Sequence, residues 1–115
     1  MPRRSDAGAA ARPELAHVFF ALGDATRLRL VAILCAGGAF SITQLTAAGD
    51  VTRQAVTKHL QVLASAGIVR DLRVGRERLW QLEPAQIEEA RRSLETIGRQ
   101  WEQALGKLKA FAESS

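Results

Sequence analysis

The chain has 115 residues, 47% of them hydrophobic and 24% charged, with a formal charge of +4 at pH 7. That length supports one hydrophobic core, and the positive balance points to an anionic partner. A single cysteine, Cys35, excludes an intrachain disulfide. There is no apolar run of the roughly 20 residues that a membrane span needs, nor the apolar core of a signal peptide, so a cytoplasmic location is expected.

Residues 1–12 are small, basic and without periodicity, which predicts a flexible tail. Pro13 suits the first turn of a helix in which Leu15, Val18, Phe19 and Leu22 recur at helical spacing, ending near Gly23. Asp24 can cap a second helix through about Ala36, closed by Gly37-Gly38. Its Leu28, Leu30, Val31, Ile33 and Leu34 leave few polar sides, which predicts the buried centre of the domain. Cys35 shares a stripe with Leu28, Val31 and Ala32 and reads as a small buried hydrophobe, not a reactive thiol. Ser41 caps a short third helix, with Ile42, Leu45 and Ala48 turned inward and Gly49-Asp50 ending it.

The next segment has two faces of opposite chemistry. Thr52 is a good N-cap, no proline interrupts the run, and Gly67 stands where a C-terminal cap glycine belongs, which predicts a helix from about Thr52 to Ala66. At 100° per residue, Val56, Leu60 and Leu63 share one side, whereas Gln54, Thr57, Lys58, Gln61 and Ser65 line the other. No carboxylate occurs between Thr52 and Ala66. Amide, hydroxyl and cationic groups are those able to read the edges of base pairs or grip phosphate. His59 lies on the shoulder of this helix, where a structural hydrogen bond or a phosphate contact is favoured over base readout. The third helix and this one, joined by a tight turn, define a helix-turn-helix.

After Gly67 the period changes. Residues 68–74, Gly75-Arg76 and residues 77–82 read as a β-hairpin with Leu72, Val74, Leu79, Trp80 and Leu82 as its apolar groups and Arg73, Arg76 and Arg78 about its tip. Residues 51–82 hold six cations against two anions, so the excess charge sits with the reading helix and the hairpin. Pro84 opens a last helix in which Ile87, Ala90, Leu94, Ile97, Trp101, Ala104, Leu108 and Phe111 alternate three and four apart, a heptad seam. A domain of this size has little surface of its own to cover so long a stripe, which predicts a twofold dimer, the alternative being a long helix folded back onto its own domain. Its interface residues are expected to be Leu15, Phe19, Leu94, Ile97, Trp101, Leu108 and Phe111.

The fold class expected is mainly α with a small β-hairpin wing: a flexible tail (1–12), a winged helix-turn-helix DNA-binding domain (13–83) and a dimerisation helix (84–115). Over residues 13–112 the chain resembles the arsenic-repressor (ArsR) family of bacterial winged-helix transcriptional regulators. The resemblance is carried by Leu22-Gly-Asp-Ala-Thr-Arg-Leu-Arg-Leu30, by Thr52-Arg-Gln-Ala-Val-Thr-Lys-His-Leu-Gln-Val-Leu63 with Ala66-Gly-Ile-Val69, and by Gly75-Arg-Glu-Arg-Leu-Trp-Gln-Leu82. It implies a homodimer, a recognition helix in the major groove of double-stranded DNA, and wings on flanking backbone or minor groove. Carried over by position, it puts Arg53, Gln54, Thr57 and Lys58 at the DNA surface, beside Thr52 and Gln61, and Arg73, Arg76 and Arg78 in the wing. Repression is likewise implied by the family.

Two departures stand out. Asp50 occupies the turn position where such motifs more often have glycine, although Asp tolerates the left-handed conformation. Metal sensors of the family often carry paired cysteines in the helix before the recognition helix, but Ser41-Ile-Thr-Gln-Leu45 has none, and the last helix has no histidine. No metal or cofactor is therefore expected, and no inducer is implied. With two histidines, one cysteine and no phosphate loop, no enzyme constellation is present either. The competing readings are a metal-responsive repressor with unrecognised ligands and a protein-interaction module built on the last helix.

Overall fold

The computed structural model describes residues 15–47 and 51–114. The predicted tail, Pro13, Ala48 and the Gly49-Asp50 turn lie outside the described residues. In chain order the elements are α1 (Ala16–Leu22), α2 (Ala25–Leu34), β1 (Ala39–Ser41), α3 (Ile42–Ala47), α4 (Arg53–Ser65), β2 (Val69–Val74), β3 (Glu77–Leu82) and α5 (Pro84–Ser114).

Local chemistry sets the helix ends. The Asp24 carboxylate accepts the Arg27 backbone N–H at 3.0 Å and starts α2. Ser41 and Gln44 form a reciprocal capping box: the Gln44 N–H donates to Ser41 Oγ at 3.1 Å, and the Ser41 N–H donates to Gln44 Oε1 at 2.9 Å. Thr52 Oγ1 accepts the Ala55 N–H at 3.1 Å and opens α4. That helix closes on Gly67, whose φ of 77° no side chain adopts cheaply. The Gly67 N–H donates to Ala64 O and the Ile68 N–H to Leu63 O, each at 3.0 Å, which satisfies two terminal carbonyls while Ile68 turns into the core.

The sheet is antiparallel, in the order β1-β3-β2. The hairpin closes on Gly75 (φ 64°), with Val74 opposite Glu77 and Arg73 opposite Arg78. β1 is not foreshadowed by the sequence. It is three residues long and pairs Phe40 with Trp80, so it depends on a partner some forty residues away and has no alternation of its own to announce it.

The core joins Leu15, Val18 and Ala21 of the first segment to Leu30, Val31 and Leu34 of α2, Leu45 of α3, Val56, Leu60 and Leu63 of α4, and Ile68, Val69 and Trp80 of the hairpin. Three expectations are corrected here. α2 is buried along one face only, with Leu28 54% exposed. Cys35 is exposed, because the inward face runs through Leu30, Val31 and Leu34 and leaves Leu28 and Cys35 on the far side. Leu15, expected at a dimer interface, is only 1% exposed within its own chain and has no surface left to offer a second one.

α5 packs at its beginning and then departs. Ala90 and Ser93 are buried and Ile87 half-buried, whereas Leu94, Ile97, Trp101, Leu105, Leu108 and Phe111 are all exposed. The radius of gyration is 19.0 Å. A compact domain of this length would have about 13 Å. Among the described residues no helix is long and apolar enough to cross a membrane.

Candidate nucleic-acid interface

α4 is held by three side chains, Val56, Leu60 and Leu63, each 1% exposed or less. That anchoring fixes which side looks outward. Gln54, Lys58 and Gln61 are exposed and line one shallow concave surface with the half-buried Thr57. Thr57 donates its hydroxyl to Arg53 O at 2.9 Å, which restrains the side chain and leaves its oxygen an acceptor. Arg53 donates from Nη1 to Thr43 Oγ1 at 3.0 Å, tying the start of α4 to α3. Thr52, the cap, is exposed at the same end.

The hairpin arginines divide by what they touch. Arg78 donates from Nε to Asp71 Oδ2 at 2.8 Å, and its guanidinium lies 4.6 Å from the centre of the Trp80 ring. It braces the hairpin against its own sheet. Arg70 reaches Gln81 Oε1 at 3.3 Å and Glu83 at 3.8 Å. Arg73 and Arg76 are exposed, and no hydrogen bond or ion pair among the described residues engages them or Lys58. Of the two carboxylates in residues 51–82, Asp71 pairs with Arg78 and Glu77 is exposed beside the hairpin tip, where Lys58, Arg73 and Arg76 outnumber it.

Sequence reasoning missed Arg27. It donates from Nε to Ala21 O at 2.7 Å and from Nη2 to Phe20 O at 3.3 Å, lies 5.4 Å from the centre of the Phe20 ring, and brings Nη1 to 3.4 Å from His59 Nδ1. Asp24 Oδ2 stands 3.9 Å from the same histidine nitrogen. The Arg27 backbone N–H, and then the Arg27 charge, hold the Asp24 carboxyl below the usual aspartate range. His59 thus faces Arg27 and Asp24 of its own domain, which is the first of the two roles, structural hydrogen bond or phosphate contact, expected of it. The signal available was the pairing of Arg27 with a capping Asp24 three residues before it.

On α5 the polar side carries Arg91 between Glu88 at 2.6 Å and Glu95 at 2.9 Å, and Arg92 3.2 Å from Glu89. The Arg91 hydrogen bond holds the Glu88 carboxyl below its ordinary value. These pairs at helical spacing support the helix where it leaves the domain.

A helix-turn-helix followed by a hairpin wing, with cations concentrated on the outward side of both, defines a winged-helix DNA-binding protein. A helix-turn-helix domain model matches residues 22–71. The HTH-type transcriptional regulator Rv2034 of Mycobacterium tuberculosis is 38% identical over 85 residues, 74% of this chain and 76% of the relative. An ArsR-like transcriptional regulator from Rhodococcus sp. RHA1 superposes with a TM-score of 0.80 at 37% identity, over 93% of this chain and 97% of that one. The transcriptional repressor BigR from Xylella fastidiosa superposes with a TM-score of 0.63 at 28% identity, over 84% and 96%. The chain belongs to the ArsR family of winged helix-turn-helix transcriptional regulators.

Proposed function

We propose that the chain is a homodimeric repressor that reads an imperfect inverted repeat in duplex DNA. In this reading α4 enters the major groove, Gln54, Lys58 and Gln61 meet base edges, Thr52, Arg53 and Thr57 meet base edges or phosphate, and Arg73 and Arg76 grip the flanking backbone. Arg78, occupied by Asp71 and Trp80, sets the shape of the wing. Repression follows from occupying a site that polymerase needs, and BigR, which shares the fold, is named a repressor.

The observation that carries the reading is the stripe of Leu94, Ile97, Trp101, Leu105, Leu108 and Phe111, which its own chain leaves in water. A contiguous apolar surface of that length on a helix that projects from its domain is covered at least cost by its own symmetry mate. Phe19, 36% exposed on α1, is the contribution of the first helix. A twofold axis along α5 would set two recognition helices about 34 to 36 Å apart, one turn of the duplex. Selecting bound sequences from random duplex DNA tests this. The expected product is a pair of inverted half-sites one helical turn apart; enrichment of a single unpaired half-site would contradict it.

A further inference from the structure

We infer that Arg27 is a positioning residue for DNA reading, acting as a strut that fixes the recognition helix against the end of α1 through His59; the inference rests on α4 being the reading element. Three backbone or side-chain acceptors from two separate elements converge on one guanidinium: Ala21 O, Phe20 O and His59 Nδ1. The two carbonyls belong to the last turn of α1, where the helix dipole favours a cation; Phe20 O also accepts the Gly23 N–H at 3.1 Å and has a second lone pair for Arg27. The third acceptor lies on α4, 32 residues away in sequence and immediately after Lys58. Because a guanidinium can only donate, this bond requires the His59 tautomer with its proton on Nε2 and a lone pair on Nδ1.

The planar fork is what makes the link rigid. A lysine could satisfy one carbonyl of α1, but it has no second and third donor at fixed angles to reach α4 at the same time. Asp24 completes the arrangement by accepting the Arg27 backbone N–H, which fixes where the side chain starts. Phe20, 70% exposed, lies under the guanidinium and shields it from one side. The apolar face of α4 holds that helix to the core, yet apolar contacts are non-directional and tolerate small rotations about the helix axis. The bond to His59 is directional, and it stands one residue from a side chain aimed at DNA.

The test uses full-length protein and two probes: the duplex that the wild-type chain selects from random DNA, and unselected duplex at the same salt. Arg27→Lys and His59→Leu are each expected to weaken binding to the selected duplex about tenfold, the scale of one charge-assisted hydrogen bond, with unselected duplex changed less than about twofold. The double variant should lose no more than either single one, because both break the same link. His59→Asn, whose Oδ1 stands near the place of Nδ1 and accepts from Arg27, should bind within about threefold of wild type. Equal losses on both probes, additive losses in the double variant, or an Asn variant as impaired as the Leu variant would overturn the strut. Failure of the wild-type chain to select any sequence would instead refute α4 as the reading element. His59→Leu keeps the test valid if Arg27→Lys does not fold.

Discussion

α4 and α5 are both amphipathic helices, yet they meet opposite fates. The apolar side of α4 is closed by its own chain, with Val56, Leu60 and Leu63 in the core, so that the polar side is held out at a fixed angle. The apolar side of α5 is closed only over its beginning, through Ile87 and Ala90, and then runs into water, with Trp101 62% and Phe111 73% exposed. Periodicity shows which side of a helix is apolar; it does not show whose chain will cover it. α4 is built to present its polar side and α5 to present its apolar one.

The largest effect should come from charging the uncovered stripe. Trp101→Glu would put a carboxylate without a partner at the middle of the pairing seam, giving a folded monomer whose affinity for an inverted repeat falls by roughly 10²- to 10⁴-fold as each half binds alone. Operator titration with far-ultraviolet circular dichroism on the same sample measures both. An unchanged affinity would mean that α5 does not pair.

Removing an apolar side chain from each helix separates the two kinds of burial. Leu60→Ala should cost about 2 to 5 kcal/mol in chemical denaturation, at any protein concentration, because the cavity lies inside one chain. Leu108→Ala should lower stability only to the extent that assembly contributes to it, so its effect should vary with protein concentration. The same concentration dependence for both would erase the distinction.

On the outward side of α4, Gln54→Ala or Lys58→Ala should each cost about 1 to 3 kcal/mol on the selected site and much less on unselected DNA. Equal losses on both would mean that these side chains touch phosphate only. Arg76→Ala should give the smallest change, weakening both kinds of DNA alike and making the slope of log affinity against log salt shallower by about one unit for each phosphate that a subunit no longer neutralises. An unchanged slope would place this arginine away from DNA.

The parts of the fold legible in sequence are those set by neighbours along the chain. Thr52 and Gly67 bound α4 because caps and left-handed glycines act within a turn, and Gly75-Arg76 fixes the hairpin register for the same reason. What the sequence hides depends on tertiary partners. α2 is apolar nearly all round, so its period could not show that Leu28 and Cys35 face out. β1 exists because β3 has a free edge for it, and Leu15 is core because α1 packs its Val18 side, not its Phe19 side, inward. The pairing of Arg78 with Asp71 was within reach: the two-residue turn puts Arg78 opposite Arg73, which leaves Asp71 on the diagonal. For Arg27 only the local half was within reach, its pairing with the capping Asp24; nothing local announces its bond to a residue 32 positions on.

Whether α5 pairs with its own copy is decided by light scattering of the unmodified chain, free of DNA and at micromolar concentration. The expected result is a particle of twice the 12.5 kDa chain mass. A particle of 12.5 kDa would contradict the pairing, and would mean that the apolar stripe of α5 is covered by something other than a second copy of this chain.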